Sequence, residues 1–144
     1  SGWVDVHKNT LQHNKYPNVF GLGDATTTPN AKTAAAVRKQ VPVVVDNILK
    51  LRDNAALVEG YDGYGSCPLT TSLNTVILAE FSYGGKVTPS FPYLDPRTKS
   101  YLWWFGKTMG FPWMYWQLMI KGSRFDIPHL AKYSAKLVEE DSKA

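Results

Sequence analysis

The chain has 144 residues, of which 44% are hydrophobic and 19% charged, so it has the length and composition of one ordinary globular domain and can bury a core. Its formal net charge is +4, and the basic residues are scattered from Lys8 to Lys143 without a dense run. This pattern argues against nucleic-acid binding and makes a negatively charged membrane surface the better partner. No stretch approaches the ~18 to 20 consecutive apolar residues of a spanning helix.

The N-terminal segment predicts a hairpin or a pair of neighbouring strands. Trp3–Val6 alternates in hydropathy, and Thr10-Leu11 leads through a polar stretch to the next apolar run. His7 and His13 have no second ligand at metal-binding spacing on a common element. We therefore expect solvated histidines and no metal site.

The central feature of the chain is the apolar stretch Asn18–Asp24, which contains two glycines and ends in a carboxylate. Its apolar residues predict a short buried strand, and its glycines allow a ligand to approach the backbone where the strand ends. Asp24 is then expected at the C-terminal tip of that strand. A strong helix-forming sequence begins near Ala31, so its exposed backbone amides would favour an anion or a polarised carbonyl. Strand, loop and helix together predict half of a nucleotide site.

The predicted helix carries apolar residues at the three-to-four spacing of one buried face. Pro42 lacks an amide hydrogen, and its ring clashes with the preceding turn, so we expect it to kink the helix or divide it in two near Gln40. The residues of the expected buried face are Val37, Val41, Val44, Ile48 and Leu51.

Polar, turn-rich sequence follows the predicted helix at Asp53–Ala56 and again at Glu59–Gly63. Such sequence is typical of a boundary between structural units. We therefore divide the chain into residues 1–53 and 54–144.

Cys67 is the only cysteine of the chain and lies in Tyr61–Leu69, where glycines and a proline predict a tight loop. A lone cysteine is usually a small buried hydrophobe, but this one lies outside any apolar run. One cysteine cannot form an intramolecular disulfide. Downstream, Val76–Tyr83 alternates like a strand, and Gly84-Gly85 predicts a hairpin turn.

Four of the five tryptophans lie in residues 101–120, which a polar break at Gly106–Thr108 divides. Pro96 and Pro112 are well placed as first residues of two short helices, the second being apolar on every side except Gln117. Such helices either pack over the core or lie in a membrane interface. Basic residues expected at the interface are Lys107, Lys121 and Arg124, and a solvated amphipathic helix is expected near His129–Glu140.

Two stretches of the chain carry a family resemblance. Tyr16–Asp24, with Lys32–Ala36 downstream, resembles the second flavin-binding segment of the two-dinucleotide-fold flavoproteins, and within them most closely the mitochondrial type of sulfide:quinone oxidoreductase. Tyr61–Leu69 resembles the segment with the second redox cysteine of these enzymes. The resemblance covers nearly the whole chain and corresponds to the C-terminal third of such an enzyme. It implies an α/β fold, with the C-terminal piece of an FAD-binding domain (1–53) and a small α+β domain with aromatic, membrane-facing helices (54–144).

The resemblance also implies FAD as cofactor, with Asp24, next to Gly23, accepting a hydrogen bond from the ribityl chain. Lys32 is either a solvated lysine or a cation near the pyrimidine end of the flavin, and the Thr33 amide would reach the same ring edge. Sulfide would attack a disulfide between Cys67 and an upstream cysteine, leaving a persulfide on Cys67 and a thiolate that passes two electrons to FAD. The quinone entrance or membrane contact would comprise Trp113, Tyr115, Trp116 and Met119.

The implied partners are hydrogen sulfide, a quinone, a small sulfur acceptor such as glutathione, sulfite or cyanide, and the mitochondrial inner membrane, to which the enzyme would bind peripherally. No GxGxxG turn occurs, so the remainder of a parent chain would supply the phosphate cradle and the second cysteine, and this chain alone is expected to be inactive. Two alternatives stay open. A type II NADH:quinone dehydrogenase would share the Gly-Asp segment but not need Cys67, and a non-catalytic peripheral membrane-binding module would need neither flavin nor Cys67.

Overall fold

The computed structural model describes residues 2–91, 95 and 97–122. The chain forms two compact units, of which the first comprises Ser1–Cys67 with Phe81–Val87 and the second Pro68–Glu80 with Thr88–Ala144. The predicted division at residue 53 concerns the relation to a longer protein and stays a prediction. Pro96, Arg124 and the helix expected at residues 129–140 lie outside the described residues.

The N-terminal part of the first unit is held by isolated β bridges rather than by long strands. The predicted pairing of neighbouring extended segments is confirmed, but the predicted buried strand before Asp24 is wrong. Val19 is exposed, and the backbone turns into a short 3-10 helix at Gly23–Ala25. Leu11 has a positive φ of 64°, an uncommon conformation for a residue with a side chain, and each bridge joins only one residue pair. The bridges join Val6 to His13, Gln12 to Phe20 and Val4 to Thr26.

The long helix α1 spans Ala34–Arg52 and begins after Thr33, whose hydroxyl accepts a hydrogen bond from the Ala36 amide at 3.2 Å. Pro42 lies inside this helix, so a division in two near Gln40 is wrong, whereas the alternative, a kink, stays a prediction. A proline removes one main-chain hydrogen bond but keeps a helical φ. The helix has buried residues both before and after Pro42, namely Gln40 and Val44.

The buried face of α1 differs from the predicted one. Of the expected residues only Val44 is buried, whereas Val41 and Ile48 are 42% and 47% exposed. The helix instead turns two amide side chains, Gln40 and Asn47, into the interior, where both are fully buried. The hydrophobic spacing therefore predicts the wrong buried face of α1, because Gln40 and Asn47 form hydrogen bonds with backbone groups in the interior.

Asn47 joins α1 to two loops of the first unit. Its Nδ2 donates to the carbonyl oxygens of Thr10 at 3.0 Å and Val58 at 2.9 Å, and its Oδ1 accepts from the Val58 amide at 2.8 Å. Pairing of these polar atoms offsets the cost of burying the amide side chain. The side chain thus acts as a cross-link between the helix and both loops.

A glycine and a tyrosine pack closely in the first unit. Gly63 has a φ of +85°, and a Cβ atom there would overlap the ring of Tyr83. That ring stands edge-on to Tyr61, with 5.7 Å between centroids. The buried cluster against which Tyr83 packs consists of Val6, Leu11, Val44 and Tyr61.

Two strands, β1 (Gly65–Ser72) and β2 (Thr75–Phe81), are hydrogen-bonded neighbours. Cys67 lies within β1, so the prediction of a tight loop around it is wrong. The glycine-containing sequence before it is extended, and Pro68 is tolerated in a strand at positions that need no ladder amide. The predicted alternation of β2 is confirmed, since every second residue from Val76 to Glu80 is buried.

The hairpin predicted after β2 is also confirmed. Gly84 and Gly85 both have positive φ values, 77° and 76°, which the turn requires. The Ser82 amide donates to the Lys86 carbonyl at 2.8 Å, and Phe81 forms an antiparallel bridge with Val87.

The second unit contains a continuous helical run of residues 101–119. Helices α2 (Tyr101–Phe105) and α3 (Phe111–Met114) are joined by a π-type turn at Gly106–Gly110, and a second such turn at Tyr115–Met119 follows α3. The predicted polar break is therefore wrong, because Gly106 keeps helical dihedral angles of −54° and −46°.

Pro112 lies at the start of α3, as predicted. Since the helical run continues through Gly110, which has helical dihedral angles, the missing amide hydrogen of Pro112 removes one possible main-chain hydrogen bond. Within the residues that the structure describes, no helix has the length and hydropathy needed to cross a bilayer.

Replacing Asn47 with leucine should lower the free energy of unfolding by about 3 kcal/mol. The change keeps the branched shape of the side chain but leaves buried backbone groups of Thr10 and Val58 unpaired, at about 1 to 3 kcal/mol for each such group. Urea denaturation gives the difference. The same substitution at the exposed Asn18 is the control and should change stability by less than about 0.5 kcal/mol. Equal effects of the two substitutions would contradict the role given to Asn47.

Candidate functional site

The Gly23-Asp24 turn is fixed by its backbone and leaves the carboxylate free. Gly23 has a φ of +70°, and its amide donates to Oε1 of the buried Gln40 at 2.7 Å. The Gly23 carbonyl accepts from the Thr26 hydroxyl at 2.9 Å. Asp24 is exposed, and its carboxylate has no hydrogen-bond or ion-pair partner among the residues described. The turn therefore presents an unpaired acceptor on a rigid support.

Lys32 lies beside this turn, and its ammonium group is fully engaged. Nζ donates to the carbonyl oxygens of Thr26 at 2.8 Å and Thr28 at 2.9 Å, and approaches the Thr28 hydroxyl at 3.3 Å. It also lies 5.5 Å from the centroid of the Trp3 ring. An ammonium has three N–H donors, and three oxygens surround this one. Lys32 thus contributes positive charge at this place rather than a free donor.

The start of α1 offers backbone donors. The Thr33 hydroxyl caps the Ala36 amide, while the amides of Ala34 and Ala35 have no acceptor within the helix, as in any first turn. A depression of about 290 Å³ opens near this end of the helix. The residues that line it are Trp3, Thr26, Thr27, Thr28 and Lys32.

Cys67 is a free, half-buried thiol in β1. Two residues before it, Gly65 packs against the segment that precedes α1, since a Cβ atom on Gly65 would lie 3.4 Å from that of Ala31. Ala31 is the residue directly before Lys32. The structure therefore brings the cysteine strand to the same end of α1 as Lys32 and Thr33. Among the described residues, no group of three or more His, Cys, Asp or Glu could hold a metal ion.

Tyr61 forms a polar contact that the sequence analysis missed. The residue is 1% exposed, and its hydroxyl accepts from Asn30 Nδ2 at 2.7 Å and donates to the Tyr64 carbonyl at 2.9 Å. Burial is the main reason why the pKa of Tyr61 is raised to about 12. No motif marks these residues, and the only signal was an aromatic hydroxyl beside the Gly-rich sequence before Cys67.

The second unit carries an exposed apolar face along residues 101–120. Trp113 and Trp116 are each 60% exposed and Tyr115 is 48% exposed, whereas Met119 is half-buried. Trp103 is half-buried and packs on Phe91, with 4.9 Å between ring centroids. The exposed residues recur at helical three-to-four spacing, and they are Leu102, Phe105, Met109, Trp113, Trp116 and Ile120.

Lys107, expected at the edge of a membrane-facing helix, is bound within the second unit instead. Its Nζ donates to the Pro68 carbonyl at 2.9 Å and to the Thr70 hydroxyl at 2.7 Å. Lys121 donates to the Gln117 side chain at 2.7 Å. The exposed face is therefore mainly apolar in character.

The chain is similar in sequence to known proteins over most of its length. No protein-family model matches it. It is 48% identical over 125 residues to a protein named "Sulfide:quinone oxidoreductase, mitochondrial" in Dictyostelium discoideum, and 45% identical over 122 residues to one of the same name in Mus musculus. These alignments cover 87% and 85% of this chain but 27% of each relative, so the chain spans about a quarter of the length of the curated relatives it matches. The predicted resemblance to mitochondrial sulfide:quinone oxidoreductases is thereby confirmed.

One solved structure is also similar. A chain in the cryo-EM structure of the Tetrahymena thermophila mitochondrial ATP synthase, an F1Fo composite tetramer, superimposes with a TM-score of 0.64 and 34% sequence identity. The match covers 75% of this chain and 27% of that chain. A similar fold therefore occurs within a longer chain of that assembly.

Burial of Tyr61 should make the protein less stable at alkaline pH. Because its pKa is about 12 in the folded state against 10.0 as the ordinary value, the unfolded chain loses this proton first as the pH rises. The stabilisation is complete below about pH 10 and is lost between about pH 10 and 12. Tyr61→Phe should therefore show a smaller loss of unfolding free energy in urea between about pH 9 and 11 than the unchanged protein. Parallel losses would show that Tyr61 titrates normally.

Proposed function

We propose that this chain is the C-terminal part of a mitochondrial sulfide:quinone oxidoreductase, bound peripherally to the inner membrane. The complete protein would oxidise hydrogen sulfide through a cysteine pair and pass the electrons by way of FAD to a quinone. The observation that carries this proposal is the packing of the Cys67 strand against the start of α1, where Gly65 meets Ala31. The sequence similarity over 87% of the chain supports it.

The first unit fits one part of the cofactor. The free carboxylate of Asp24, held by the Gly23 backbone, is suited to accept a hydrogen bond from a polyol hydroxyl. The unpaired amides at the start of α1, next to Thr33, are suited to a polarised carbonyl. Lys32 fits as a fixed positive charge that favours an electron-rich ring, but not as a direct donor, because its three N–H groups are already engaged. FAD, when bound, supplies the two-electron redox chemistry.

Cys67 would carry the sulfur. Hydrosulfide attacks the bond between Cys67 and a cysteine of the remaining chain, so a new sulfur–sulfur bond forms on Cys67 and the other sulfur leaves as a thiolate. That thiolate is the source of the electron pair. The outer sulfur of the Cys67 persulfide then passes to a small nucleophile such as glutathione, sulfite or cyanide. A half-buried thiol suits this task, since part of its surface stays accessible to the sulfide and to the acceptor.

The exposed face of the second unit would contact the membrane and the entering quinone. A continuous stripe of Trp, Phe, Met, Leu and Ile side chains is too apolar to stand in water without a partner. Trp113, Tyr115 and Trp116 have the amphipathic rings that favour the membrane interface. Met119, which is half-buried beside them, would line the path by which the quinone ring enters.

A second candidate follows from the solved structure. The matched chain is part of a mitochondrial ATP synthase, which favours a non-catalytic role as a subunit of a membrane assembly. Such a role would use the apolar face and leave Cys67 without a function. The two candidates therefore differ in what Cys67 does.

Replacing Cys67 with serine in the full-length protein should abolish flavin reduction by sulfide while FAD stays bound. The hydroxyl cannot form the disulfide that sulfide attacks. Anaerobic stopped-flow absorbance at the flavin band measures the rate, and the visible spectrum of the purified protein measures FAD content.

The neighbouring Ser66→Ala is the matched control and should reduce normally, since it changes the same strand without touching the thiol. Sulfide-driven reduction that persists in Cys67→Ser would refute the redox role. It would then favour the non-catalytic candidate.

Replacing both Trp113 and Trp116 with serine should remove most binding of the protein to liposomes. Each aromatic side chain withdrawn from water contributes about 1.5 to 3 kcal/mol, so losing two weakens binding more than losing any single surface charge. Flotation with neutral and anionic vesicles measures recovery with lipid.

Trp3→Ser is the control for loss of an exposed tryptophan, because Trp3 is 52% exposed but belongs to the first unit. Binding of the unchanged protein should survive moderate salt, since Lys107 is engaged within its own unit. Equal flotation of the double variant and the unchanged protein would exclude this face as the membrane contact.

A further inference from the structure

We infer that Tyr61 is a positioning residue that ties the Cys67 strand to the flavin-facing end of α1. This inference rests on the proposed function, because it concerns how the sulfur of Cys67 is held relative to that end of the helix. The Tyr61 hydroxyl makes this connection, because it forms one hydrogen bond to the segment before α1 and one to the segment before β1.

One bond reaches the segment before α1. Asn30 Nδ2 donates to the Tyr61 hydroxyl at 2.7 Å and also to the Ala31 carbonyl at 2.9 Å. Asn30 is thereby fixed at the residue that contacts Gly65. The Tyr61 hydroxyl is thus bonded to Asn30, the residue before Ala31, in the segment that leads into α1.

The other bond reaches the strand side. The Tyr61 hydroxyl donates to the Tyr64 carbonyl at 2.9 Å, three residues before Cys67. One hydroxyl therefore accepts from the helix side and donates to the cysteine side, which uses its donor and one acceptor position. Because the residue is buried, water does not compete for either bond.

The ring of Tyr61 is itself held in place. Its backbone amide donates to the Asn9 carbonyl at 3.1 Å, and Asn9 Nδ2 donates back to the Tyr61 carbonyl at 2.8 Å. The Tyr83 ring packs against its side. A tyrosine fixed at both backbone and ring gives its hydroxyl a single position. The hydroxyl can therefore fix the distance between the segment before α1 and the segment before β1.

A reacting group displaced by about 1 Å can lose up to ~10²-fold in rate, so a fixed tie at this place matters for transfer from the cysteine pair. Tyr61→Phe removes only the hydroxyl and keeps the ring that fills the core. In the full-length protein we expect flavin reduction by sulfide to slow by about tenfold, with FAD content and the KM for quinone unchanged.

A second measurement does not depend on catalysis. Once the strand is released from α1, alkylation of the reduced Cys67 thiol by iodoacetamide should be about threefold faster in Tyr61→Phe, because a local opening exposes it. Asn30→Ala removes the helix-side donor and should give the same two changes.

Tyr83→Phe is the matched control. It removes a hydroxyl that donates to the Lys8 carbonyl in the same aromatic pair but touches neither tie. The control should leave the flavin reduction rate and the alkylation rate as they are. If Tyr61→Phe behaves like Tyr83→Phe in both measurements, the inference is overturned. Failure of the proposed function is read separately, from sulfide-driven reduction that persists in Cys67→Ser.

Discussion

The hydrogen bond from the Gly23 amide to the buried side chain of Gln40 is the constraint on which the first unit depends. It joins a left-handed turn to the middle of α1, and Asn47 repeats the same device two turns later. An aliphatic helix face tolerates rotation or sliding, because dispersion contacts are not directional. Two buried amides that each need their own backbone partner allow only one register. The turn carrying Asp24 and the start of α1 are therefore set relative to each other by the interior.

Much of the secondary structure could be predicted because it follows from local chemistry. The existence of α1, the alternation of β2 and the turn at Gly84-Gly85 depend on helix propensity, residue period and positive φ, all of which are written in neighbouring residues. The family resemblance was available for the same reason, since it rests on the short stretches around Asp24 and Cys67. For the candidate site, the sequence indicates candidate residues but not their arrangement.

The failures all concern tertiary context. The hydrophobic pattern does not predict that Gln40 and Asn47 are buried, because it cannot show which polar side chains find backbone partners. The helices also continue through Pro42 and Gly106, since a proline keeps a helical φ and a glycine in a helix only lowers its propensity. The loop predicted around Cys67 is part of a strand instead. Pairing with β2, rather than the local sequence, makes this segment extended.

The contact between Gly63 and Tyr83 has a consequence for how this sequence can vary. A Cβ atom at position 63 would occupy the place of the Tyr83 ring, and the positive φ of Gly63 disfavours other residues independently. Positions 63 and 83 are therefore not free to drift separately. A natural variant with a side chain at position 63 would need a smaller residue at 83 and a rebuilt loop between Tyr61 and β1, so the glycine and the tyrosine should be gained or lost together during evolution.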